Sequence, residues 1–177
     1  MMKKMHPQSG FTLLEILIAI VIMSLGLLGL AGLQAASLKN NQTAYFRAIG
    51  AQQVYDMADR IRANQAGATA GSYDALNNST PADPGCFNAD TGQTGCSSAN
   101  MAVTDHHQWN TNNGRLLPGG VGTVDCTAGP GAACSNSNVL RTYRIMVSWT
   151  QAGTDCVDGA GTLVAADTDC FIADVSP

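Results

Sequence analysis

No proline falls between Gly10 and Asn64, and Glu15 is the only charged residue from Phe11 through Leu38. The first absence removes the strongest helix breaker from this stretch. The second leaves one carboxylate alone in an apolar run. Farther on, residues 65–177 hold only three basic side chains, Arg115, Arg141 and Arg144, against ten aspartates. A surface of that sign repels phosphate backbones, so no direct nucleic-acid binding is expected. The chain also lacks a Cys-x-x-Cys pair, which argues against zinc. No nucleophile elbow, P-loop or dinucleotide fingerprint occurs, and no Ser, His and acid set stands out. An enzyme is therefore not expected, nor is a cofactor or a metal.

What is present begins with the apolar run. Phe11 to Leu33 is 23 residues, which at about 1.5 Å per residue reaches roughly 35 Å, enough for a hydrocarbon core of about 30 Å. A secretory signal peptide has a shorter apolar middle and a small-residue cut after it. Here the small residue, Gly10, lies before the run, on the side of Lys3 and Lys4. Those lysines place the amino terminus in the cytoplasm and the remainder across the membrane. A carboxylate five residues into such a segment is costly in lipid, so Glu15 calls for a cationic partner. The plainer alternative is that it snorkels to the headgroups.

Gly10-Phe11-Thr12-Leu13-Leu14-Glu15, with Lys3 and Lys4 upstream and an apolar helix downstream, resembles the class III signal of type IV prepilins and their type II secretion relatives. The resemblance implies that a prepilin peptidase cuts between Gly10 and Phe11 and methylates the new amino group of Phe11. It also implies that the helix stays on the mature protein and enters a filament core. There Glu15 of one subunit meets the amine of a neighbour and sets register.

Helical periodicity continues beyond the membrane run. Phe46, Ile49, Val54, Met57, Ala58 and Ile61 form an apolar stripe, with Arg47, Gln53, Asp56, Asp59, Arg60 and Arg62 on the outer positions. The two halves are expected to make one long helix whose second half lies against a globular head. Gly26, Gly29 and Gly32 lower helix propensity by about 1 kcal/mol each. They mark either a stretch that partly unwinds on leaving the membrane or one that packs closely through small residues. Many major pilins carry a proline near the position of Gly32, and this chain does not.

The expected layout is a cleaved basic leader at 1–10, a transmembrane and filament-core half at 11–38, an amphipathic half at 39–66 and an extracytoplasmic head at 67–177. Ala63-Asn64-Gln65-Ala66-Gly67 ends the helical pattern, Gly71-Ser72 reads as a turn, and Asn77 to Ser98 as an irregular loop. Ala102, His106, Trp109 and Leu116 suggest a short helix stopped by Pro118-Gly119-Gly120. Val139 to Thr150 alternates as a strand with Tyr143, Ile145, Val147 and Trp149 on one face, and Val121–Cys126 and Phe171–Val175 are its expected companions. The predicted class is α+β, type IV pilin-like: a long amino-terminal helix packed on a small antiparallel sheet.

Cys86, Cys96, Cys126, Cys134, Cys156 and Cys170 all lie in the exported part. An even count in a loop-rich oxidised domain reads as disulfides, for which six cysteines permit fifteen pairings. Nearest neighbours are favoured because each pair brackets a Gly-rich loop with little core, and each loop gains roughly 2–3 kcal/mol. Asp105-His106-His107 offers ligand types, but adjacent helical side chains diverge, so solvated or core-satisfied histidines are expected. Asp155, Asp158, Asp167 and Asp169 offer the oxygen ligands that suit calcium, but their spacing fits no EF-hand loop. Asn78-Ser79-Thr80 matches a glycosylation sequon of a kind common by chance.

A narrower resemblance rests on Gly26 to Gln34, Asn41-Gln42, Tyr45 and Asp56 to Asn64, with Trp109 ahead of Leu117-Pro118-Gly119-Gly120 and Tyr143-Arg144-Ile145 leading to Trp149. These are similar to the PilV type of minor pilin. The resemblance implies a low-abundance subunit that joins the major pilin and other minor pilins in an initiating complex, and that helps present a tip adhesin. It further implies roles in pilus assembly, twitching motility and adhesion, with residence in the inner membrane before the cell surface. A minor pseudopilin of a type II secretion system and a helix-anchored surface adhesin are the alternatives.

Overall fold

The computed structural model describes residues 10–86, 95–127, 134, 141–157 and 162–176. Lys3 and Lys4 of the leader, the first two residues of the expected 139–150 strand, and Asp158 lie outside them. The chain divides into two units, Met1–Ala44 and Tyr45–Pro177.

Helix α1, Leu13–Ala63, runs through both units. Its start is set by Thr12, whose Oγ1 accepts from the Glu15 backbone N–H at 3.3 Å. The acid in this first turn also suits the positive end of the helix dipole. The helix ends at Ala63, within the Ala63–Gly67 segment expected to close the helical pattern, and Asn64 follows it. That side chain turns inward to accept from the Gly67 N–H at 3.1 Å and to donate to the Ser98 carbonyl at 2.7 Å. The chain restarts as the single turn α2, Gln65–Thr69, and Gly71 then takes a φ of 83°, as a glycine turn requires.

In the second unit a four-stranded antiparallel sheet has the order β1-β2-β3-β6, made of Ala75–Leu76, Val121–Thr127, Thr142–Thr150 and Thr168–Val175. Between β3 and β6 the chain makes a separate pair, β4 (Cys156–Val157) with β5 (Leu163–Ala165). Helix α3, Ser98–Leu116, precedes β2 and is longer than its sparse apolar pattern suggested. Ser97 caps it by accepting from the Asn100 N–H at 3.2 Å.

Strand register lines up the inner face in rows: Cys126, Tyr143 and Val175; Val124, Ile145 and Ala173; Gly122, Val147 and Phe171. Val54, Met57, Ala58 and Ile61 of α1 share one core with this face and with Ala102, Trp109 and Leu117. Each large apolar side chain so enclosed contributes roughly 1.5–3 kcal/mol. The expected inward face of β3, Tyr143, Ile145, Val147 and Trp149, is fully buried. The architecture is a long amino-terminal helix with a small antiparallel sheet and three disulfides, an α+β fold of type IV pilin-like form.

Candidate functional site

Every residue from Gly10 to Gln42 is exposed in the isolated chain. Phe11, Leu13 and Leu14 are among the most exposed apolar residues, and Glu15 has no ion-pair partner among the described residues. The apolar part of α1 is long enough and apolar enough to cross a membrane, with none of its most apolar window buried. Gly26, Gly29 and Gly32 sit within unbroken helix, and a Cβ at any of them would meet nothing within 4 Å. So large an apolar surface, carrying one uncompensated acid, is stable only in lipid or against other chains.

Residues 5–31 match the family described as the prokaryotic N-terminal methylation motif. The chain carries a type IV prepilin-like methylation signal. Searches of curated proteins and of solved structures each find no match. The match covers the Gly10–Phe11 junction, Glu15 and most of the apolar run, and it supports a pilin- or pseudopilin-like protein anchored by this helix.

The head of this prepilin-like chain is fastened to the second half of α1 by polar groups as well as by its core. Arg47 donates to both carboxylate oxygens of Asp169, at 2.8 and 3.2 Å, and this hydrogen bond raises the guanidinium pKa. Arg60 bridges Asp56 at 2.9 Å and Asp105 at 3.2 Å. The outer-face expectation is corrected for Gln53, which is buried, and its backbone carbonyl accepts from Trp109 Nε1 at 2.8 Å. Arg47 and Arg60 are likewise committed to the head rather than to solvent alone. Sequence reasoning missed Arg47–Asp169 and Arg60–Asp105 because no local pattern links positions 122 and 45 residues apart.

Asp105, His106 and His107 are not brought together. The Asp105 carboxylate accepts from Tyr73 Oη at 2.5 Å. Burial, reinforced by that hydrogen bond, raises the phenol pKa. His106 Nε2 donates to the Asn77 carbonyl at 2.9 Å, and His107 Nδ1 donates to that of Pro81 at 2.7 Å. Two histidines thereby hold the 77–81 segment against α3. Burial lowers the His106 pKa, with the Asn77 carbonyl opposing the shift. Asp74, missed from sequence, accepts from Arg141 at 2.6 Å, and this bond raises the guanidinium pKa.

Of the acidic set, Asp155 Oδ1 accepts from the Asp167 N–H at 3.2 Å, Asp167 Oδ1 accepts from the Gly153 N–H at 2.9 Å, and Asp169 is taken by Arg47. These carboxylates therefore close a turn and anchor α1 instead of converging on one point. The cysteines do converge: Cys86 with Cys96, Cys126 with Cys134, and Cys156 with Cys170, at Cα separations of 5.3, 5.6 and 5.3 Å. Three of the six, Cys126, Cys156 and Cys170, sit in strands rather than in open loops. A groove of about 330 Å³ between β5 and the outer sheet face is lined by neutral groups, including Thr123, Met146, Ser148 and Val164. It carries neither an acid nor a base that could move a proton.

Proposed function

We propose that this chain is a minor pilin of the type IV pilus. It is inserted in the inner membrane with its head in the periplasm, cut by prepilin peptidase after Gly10, and methylated at Phe11. It then joins the major pilin and other minor pilins in starting or extending the filament. The observation that carries this reading is Glu15: a lone acid at the start of an exposed apolar helix, five places after Gly10 and inside the matched residues 5–31. Cleavage frees a cationic amine at Phe11, and filament packing brings such an amine from one subunit to the carboxylate of the next. The Asp56 to Asn64 segment favours the pilus over the secretion pseudopilus. A tip adhesin is the further partner in this scheme.

Replacing Glu15 with alanine leaves the neighbour's amine buried and unpaired, at a cost on the order of 3–5 kcal/mol. Incorporation into sheared filaments, measured by immunoblot against membrane-held protein, is expected to fall by about a hundredfold or more. Wild-type incorporation of Glu15→Ala would overturn the pairing. Deletion of the gene is expected to remove surface pili and twitching. Retention of secreted enzymes in the periplasm with normal pili would instead establish the pseudopilus, and normal pili with poor attachment would establish the adhesin.

A further inference from the structure

Among the described residues, one edge of the sheet is open. From Phe171 to Val175 the backbone of β6 bonds only to β3 among the described residues. Exposed strand edges template pairing with another chain, and proteins commonly blunt them with proline, lysine, a bulge or a covering segment. Phe171-Ile172-Ala173-Asp174-Val175 contains no proline or lysine and pairs with Tyr143–Val147 in unbroken register. The β4–β5 pair is tied to Cys170, ahead of this stretch, and its flank meets the strand at Thr168, which donates to the Thr154 carbonyl at 2.9 Å.

The side chains state what would fit. On the inner face Phe171, Ala173 and Val175 are only half-buried at the margin of the core, ready for apolar neighbours. On the outer face Asp125, Arg144 and Asp174 lie side by side across β2, β3 and β6, an acid, a base and an acid. Arg144 donates to Asp174 at 2.9 and 3.1 Å. Two carboxylates flank one guanidinium, so the next place in that row, beyond the edge, favours a cation. The same row disfavours a second copy of β6. Antiparallel pairing about Ala173 sets Ile172 opposite Asp174, and parallel pairing in register sets Asp174 against Asp174.

We propose that the β6 edge takes up, by strand addition, an extended segment of another extracytoplasmic protein. That segment alternates apolar residues toward the core rim with a lysine or arginine beside Asp174. Backbone hydrogen bonds supply the attachment, and the charge row supplies register and choice of partner.

The test uses the full-length chain in lipid nanodiscs and two peptides, Thr-Val-Lys-Val-Ile-Val-Thr and its counterpart with glutamate in place of lysine. Amide hydrogen exchange is followed by mass spectrometry. The lysine peptide is expected to slow exchange across Phe171–Val175 roughly tenfold, and the glutamate peptide by less than about twofold. In Asp174→Lys, at an exposed position, the preference is expected to invert, while a cooperative melt only a few degrees below wild type, the cost of the lost Arg144 pair, reports an intact head. Equal slowing by both peptides, or by neither, overturns the proposal. Slowing that appears on concentrating the chain alone overturns it in favour of self-pairing. The assay does not pass through filament assembly, so its failure leaves the pilin reading standing, and failure of that reading leaves the edge to be tested.

Discussion

The two halves of α1 have one secondary structure and two different reasons for it. From Gly10 to Gln42 every residue of the helix is exposed among the described residues, whereas Val54, Met57, Ala58 and Ile61 are buried in the head's core. The glycines mark the contrast. Gly26, Gly29 and Gly32 face open space, but a Cβ on Gly50 would come within 2.6 Å of the Trp149 ring. In the first half a small residue lowers helix propensity and leaves room for something outside the chain. In the second it is a packing requirement, because the indole lies against the helix backbone. An exposed apolar helix long enough to cross a membrane thus continues into one held by tertiary contact.

The largest expected difference between the halves comes from side-chain truncation. Trp109→Ala removes a fully buried indole and its hydrogen bond to the Gln53 carbonyl, and is expected to destabilise the head by about 3–5 kcal/mol in thermal or urea melts. Leu27→Ala, at an exposed site, is expected to leave that melt unchanged. A comparable loss in both would mean that the apolar half packs on the head after all. Next come the glycines. Gly50→Ala is expected to cost about 1–3 kcal/mol through overpacking against Trp149. Gly29→Ala is expected to strengthen the helix locally by roughly 1 kcal/mol, read as slower amide exchange at Leu25 to Leu33 with the head unaffected. In assembled filaments, exchange at those amides as slow as in the flanking turns would favour close packing over unwinding.

The smallest effect is one of pH, and it belongs to the head alone. His106 is held below the usual imidazole range, so the unfolded chain takes up this proton first as pH falls. Stability is therefore lost on going from pH 7 toward 5, below the ordinary histidine pKa of about 6.5. His106→Gln is expected to flatten that part of the melting profile. An identical slope in wild type and variant would assign the dependence to other groups.

Much of this fold was legible locally. The period of α1, the alternation of β3 and the stop at Pro118-Gly119-Gly120 are written in neighbouring residues, and so is the nearest-neighbour disulfide set. The end of α1 was legible in Ala63-Asn64-Gln65-Ala66-Gly67, but the contacts that fix it were not legible, because they depend on Tyr73 and Ser98 lying within reach of the Asn64 amide. Nor was β1, whose two residues become a strand only by pairing with Val124 and Asp125. The β4–β5 pair is equally short and is held by the Cys156–Cys170 bond more than by any strand pattern.

The sequence by itself determined the signal, the membrane-length run with its single acid, the stripe that continues it and the polarity of the head, because each depends on side-chain type and spacing along one element. Only the tertiary structure decided that Gln53 is buried, that Arg47 meets Asp169, that two histidines hold a loop and that, among the described residues, one edge of β6 stands open. Those outcomes depend on which distant groups share a small volume, where desolvation must be offset by a partner, and no local pattern carries that information.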